Sequence, residues 1–84
     1  MHEYSLVNSV IKSIINKTKD LNIKKITSIK IKLGKLKMVS KEEFQDTFSF
    51  LASNTICEGA KLDIEETDDD ILEIENIEVE SDKD

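Results

Sequence analysis

Apolar residues recur along this chain at two different spacings, and the spacings divide it into elements. Val7, Val10, Ile11, Ile14 and Ile15 fall at i, i+3, i+4, i+7 and i+8, which predicts an amphipathic helix over residues 5–20. Ser5 stands where an N-cap belongs, so residues 1–3 are expected to precede the helix. Residues 21–25 read as a polar turn, with Leu21 and Ile23 tucked inward. Ile29, Ile31 and Leu33 then alternate with Lys30 and Lys32, the pattern of a half-buried strand with one lysine face, and Gly34 punctuates its end.

The stretch VSKEEF (39–44) is the sharpest local signal. Ser40 with Glu43 three residues on makes a capping box, and Val39 and Phe44 are spaced as a hydrophobic staple. The predicted helix runs to about Ser53 with Phe44, Thr47, Phe48 and Leu51 on one face, the aromatics serving as core. Beyond Gly59, Ala60, Leu62 and Ile64 alternate with Lys61, Asp63 and Glu65 as a second strand, and TDDD (67–70) is an acidic turn. A last strand spans 71–80. Its apolar phase changes from even (Leu72, Ile74) to odd (Ile77, Val79), which predicts a β-bulge at Glu75–Asn76. Ser81 to Asp84 reads as a frayed charged tail.

The order α-β-α-β-β makes one α/β two-layer sandwich over residues 1–84: a three-stranded mixed sheet with two helices on one face. The strand–helix–strand unit should pair its strands in parallel through a crossover. The last strand is expected to pair with its predecessor as a hairpin across the four-residue turn.

Charge is unevenly spread. The first 41 residues hold ten lysines and two acids, and the rest holds two lysines and sixteen acids, for a net charge of −6. No arginine is present to make bidentate contacts to bases or phosphates, so nucleic acid is not the expected partner. The lysines and acids are expected to face one another across the sheet instead. No apolar run is long enough for a membrane span, and the first helix region has no continuous apolar core of a signal peptide. The single cysteine, Cys57, fits a reducing cytoplasm and reads as a small buried hydrophobe. No second histidine, nucleophile–base pair or glycine-rich phosphate loop suggests an enzyme, and the acidic run lacks the spacing of an EF-hand.

The remaining chemistry lies in the first three residues. His2 directly follows Met1, and its bulk disfavours removal of the initiator. The Met1 amine, the deprotonated His2 amide and the His2 imidazole can occupy three positions around one metal, with Glu3 offering a further oxygen or nitrogen. An ion that displaces an amide proton in a planar, nitrogen-rich field is Cu(II) or Ni(II), not Zn(II). The plainer alternative is a histidine that follows the obligatory methionine by chance.

Several stretches resemble the HypA family of nickel metallochaperones. They are Met1-His2-Glu3 ahead of an amphipathic helix; IKLGKL (31–36) with Val39 and the Phe44/Phe48 pair; EGAKLDIEE (58–66); and LEIENIEVE (72–80). The resemblance spans almost the whole chain. It implies Ni(II) bound through Met1, His2 and Glu3, and a role in maturation of [NiFe]-hydrogenase, with urease as a further client. The implied partners are a HypB-type GTPase and the hydrogenase large subunit. Family members also carry a four-cysteine zinc domain between the second strand and the closing strand. Here Thr67 to Asp70 fill that gap and only one cysteine exists, so the zinc-binding insert is expected to be absent at 67–70 and no zinc to be bound. The gap fits natural loss and deliberate excision equally. The alternative function is a zinc-less protein-interaction domain without a working metal site.

Overall fold

The computed structural model describes residues 2–81, His2 through its backbone alone. Helix α1 (His2–Thr18) leads into strand β1 (Ile23–Gly34), a 3-10 turn (Lys35–Lys37), helix α2 (Lys41–Leu51) and strands β2 (Lys61–Thr67) and β3 (Leu72–Ser81). The two-layer α/β class and the mixed three-stranded sheet are as the pattern predicts. The end of the chain expected to fray, residues 82–84, lies outside the described residues; Ser81 belongs to β3.

α1 starts three residues earlier than the Ser5 cap signal suggests. Neither glycine nor proline interrupts His2-Glu3-Tyr4, and Glu3 in the first turn with Lys17 in the last suits the helix dipole. Residues 2 and 3 are therefore part of the helix and do not precede it. Val7, Val10, Ile11 and Ile14 are buried, but Ile15 is 37% exposed. The stripe continues through Thr18, which is buried and donates its hydroxyl to the Ile14 carbonyl at 2.8 Å.

β1 is longer than its period-2 segment. Two bulges on β1, around Lys24 and Thr27, let Ile26 and Ile29 bury on the same face although they are three residues apart. The expected polar turn at 21–25 is thus partly strand, and Leu21 stays 59% exposed instead of tucking inward. The bulge expected on the closing strand is present: Lys30 pairs with Asn76 and Ile31 with Ile74, leaving Glu75 as the extra residue.

The hairpin expectation is overturned. The strand order is β2-β1-β3, with β2 parallel and β3 antiparallel to β1, so the last strand pairs with the first and not with its predecessor. Electrostatics gives the reason. β2 and β3 are both acidic, and pairing them would set carboxylates side by side; interposing the lysine strand separates them. Glu75 takes both Lys30 (3.8 Å) and Lys32 (3.4 Å), and Glu80 takes Lys24 (3.6 Å) and Lys25 (3.8 Å). The hydrogen bond and charge of Glu75, with Glu65 and Glu73 nearby, raise the Lys32 pKa.

That order forces the β2–β3 link across the C-terminal end of β1. The Gly34 N–H donates to the Ile71 carbonyl at 2.7 Å, and the Leu36 N–H to the Asp69 carbonyl at 3.0 Å. A Cβ on Gly34 would lie 2.7 Å from the Ile71 nitrogen and closer still to the Asp69 carbonyl oxygen. Glycine is needed here for close approach, since its own backbone (φ −70°, ψ 135°) suits any residue.

The capping box of α2 is complete: the Glu43 N–H donates to Ser40 Oγ at 3.0 Å, and the Ser40 N–H to Glu43 Oε1 at 2.9 Å. Val39, Phe44 and Phe48 are buried beside Val7, Ile14, Ile29, Ile31 and Leu33 in one core between the helices and the sheet. Cys57 is fully buried in that core, as its composition suggests. The Ile56 carbonyl accepts from the Ile26 N–H at 3.0 Å, tying its loop to β1.

Candidate metal centre

Of the three candidate ligand residues, His2 and Glu3 lie at the start of α1. Met1 lies outside the described residues. His2 opens the helix, and Glu3 follows in its first turn, half-buried. The first N–H groups of any α-helix have no carbonyl four residues earlier to bond. The amides of His2 and Glu3 are in this position, so a metal can take either nitrogen without breaking a helical hydrogen bond. A helix N-terminus also carries partial positive charge, which favours the deprotonated, anionic form of those amides.

α1 runs back along β1, so its start lies at the same end of the molecule as the end of β1 and the β2–β3 link. Ser5 and Leu6 of α1, Leu36, Lys37 and Met38 after β1, and Asp70 of the link border one depression of about 330 Å³. Lys37 pairs with Asp70 and Lys35 with Asp68, each at 3.5 Å, pinning the 3-10 turn to the link. Around this end Tyr4, Leu36 and Met38 are exposed (52%, 63% and 77%). Met38 sits in the left-handed region at φ 65°, which ends the turn. Sequence reasoning did not single out these three side chains. Tyr4 lies ahead of the helix read from the sequence, Leu36 and Met38 lie between the strand and the second helix, and only the run of α1 against β1 brings the three to one end.

Other candidate ligands are not gathered here. Among the described residues, no group of three or more His, Cys, Asp or Glu side chains is placed to hold a metal ion. The TDDD segment is a tied turn, with the Thr67 hydroxyl donating to Asp69 Oδ1 and Asp68 and Asp70 paired with lysines. Burial pushes the Cys57 thiol above its ordinary pKa, against a smaller lowering by Thr55, so it stays protonated in the core and is no surface ligand.

The family described as "Hydrogenase/urease nickel incorporation, metallochaperone, hypA" matches residues 1–79. That family is one of metallochaperones, not of enzymes. Hydrogenase maturation factor HypA of Methanocaldococcus jannaschii is 36% identical over 77% of this chain and 56% of its own length. The Archaeoglobus fulgidus factor is 34% identical over 76% and 58%, and that of Francisella philomiragia 44% identical over 76% and 56%. The solution structure of the Ni metallochaperone HypA from Helicobacter pylori superimposes with a TM-score of 0.69 at 26% identity, covering 90% of this chain and 72% of that one. The chain belongs to the HypA family. It spans a little over half the length of the curated relatives it matches.

Proposed function

We propose that this chain is a nickel-binding module for hydrogenase maturation, carrying Ni(II) as cargo on the Met1 amine, the His2 amide and imidazole, and Glu3. Family membership supports nickel as the ion. The observation that carries the site is the start of α1 at His2, which leaves the His2 and Glu3 amides without helical acceptors. The chain's own residues do simple work: the amine and amides close small fused chelate rings, and the imidazole completes them. Protons compete at every one of these donors, so the site releases metal as pH falls. The HypB-type GTPase and the hydrogenase large subunit are the proposed partners, and urease a further client.

The zinc domain of the family is proposed to be missing here. The four-residue link over Gly34 and the single cysteine support that reading. The exposed Leu36 and Met38 favour a second reading, a docking domain without a working metal site. Titration of Ni(II) into protein with an unblocked N-terminus separates the two. A d–d band of planar nickel rising to one equivalent supports the first; no band leaves the second.

A further inference from the structure

The two edges of the sheet are not alike. β3 is interrupted by the bulge at Glu75, and Glu75 and Glu80 are engaged by lysines of β1. β2 pairs with β1 over seven residues with no register shift, contains no proline and, among the described residues, has no strand on its other side. Such an edge presents its free N–H and C=O groups as a template for another strand. Beside it a groove of about 430 Å³ separates β2 from the first turns of α2. Leu62 and Ile64 form its apolar floor, Glu42 and Asp46 stand on the helix side, and Lys41 is its one cation.

The carboxylates along this edge make no close ion pair among the described residues. In register, Lys30 stands next to Asp63 and Lys32 next to Glu65, yet both lysines pair with Glu75 on the far side. Among the described residues no cation lies within 4 Å of Asp63, Glu65, Glu42 or Asp46, and Glu65 reaches Lys32 only at longer range. A second copy of β2 fits badly: in an antiparallel pair centred on Ile64, Asp63 faces Glu65 twice, a like-charge arrangement that destabilises.

We propose that the outer edge of β2 binds an extended, lysine- or arginine-rich segment of a partner protein as a fourth strand. Its basic residues on one face stand beside Asp63 and Glu65. Those on the other lay their aliphatic stems over Leu62 and reach Glu42 and Asp46. Backbone pairing supplies affinity and the alternate acids supply selectivity.

The test uses metal-free, full-length protein, so its result is independent of the nickel reading. The probe is a capped heptapeptide of lysines with valine at its third and fifth positions, so that lysines stand on both faces, and the control replaces the two valines by proline at equal charge. The expected result is amide shifts confined to residues 61–67 and 41–46, with slowed exchange along β2. The proline control should bind about tenfold more weakly, because it lacks the donors for pairing. Asp63→Asn with Glu65→Gln should weaken the probe several-fold, and Glu73→Gln on β3 should not. Equal binding of the proline control, shifts spread evenly over β3, or absence of binding would each overturn the proposal.

Discussion

Replacing Gly34 by alanine tests the path of the chain, because the two topologies predict opposite signs. The new methyl would sit within 2.7 Å of the Ile71 nitrogen and nearer still to the Asp69 carbonyl, both backbone atoms that have no rotamer with which to yield. Overpacking of this kind costs roughly 1–3 kcal/mol. Opening the link also loosens the Gly34–Ile71 and Leu36–Asp69 hydrogen bonds, each contributing about 1 kcal/mol. The sum is about 3–5 kcal/mol, a large share of the stability of so small a domain. It corresponds to a fall in Tm of more than about 10 °C. Had β2 and β3 formed a hairpin, the link would not cross β1. Gly34, at an ordinary φ of −70°, would then gain about 0.4–1 kcal/mol as alanine through a less flexible unfolded chain. Urea unfolding followed by circular dichroism, with amide exchange at Gly34 and Leu36, reads both effects. A variant as stable as the parent, or more so, would refute the crossing.

Three further outcomes follow from the same geometry. Ser40→Ala removes the hydroxyl that accepts from the Glu43 N–H, leaving the backbone N–H of residue 40 to donate to Glu43, and should cost about 1 kcal/mol in urea unfolding, while leaving nickel affinity unchanged. A loss of nickel affinity without loss of stability would place Ser40 at the metal. Cys57 should resist thiol reagents until the protein unfolds, and because burial raises its pKa, its contribution to stability is present below the ordinary thiol pKa and lost as pH rises through that range; fast labelling of native protein at neutral pH would contradict this. Excess EDTA should leave the circular dichroism spectrum intact and metal analysis should find no stoichiometric zinc, since the helices and sheet form the core without a cysteine pair.

Local signals in the sequence carried most of the fold. Ser40 and Glu43 make their contacts within four residues, so the start of α2 was legible as written. So was the bulge at Glu75, because the phase of Leu72 and Ile74 against Ile77 counts the inserted residue directly. Ile23 and Ile26 were not legible as strand, since spacings of three from Ile23 to Ile26 and on to Ile29 match no pleat until two bulges reset them. The pairing of β3 with β1 depends on which strands are acidic, a property of the whole sheet that hairpin logic on a four-residue turn ignores. At the candidate site the tripeptide could be singled out because its proposed donors are adjacent in the chain. Tyr4, Leu36 and Met38 were not, since nothing in their spacing reports that the helix start meets the end of β1.

The central claim is that the terminal amine is itself a nickel ligand. The most direct test is calorimetry of Ni(II) binding to the native protein and to a form extended by one residue ahead of Met1, run in parallel at neutral pH. The extension converts the amine of Met1 into a peptide amide and moves the new amine out of the fused rings, while the core side chains from Val7 onward are untouched. The account predicts one tight site in the native protein. In the extended form it predicts a loss greater than the roughly 10–100-fold that removing an outer-shell partner costs, with unchanged thermal unfolding in the absence of metal. Equal affinity in the two proteins would contradict it and place the nickel on side chains elsewhere.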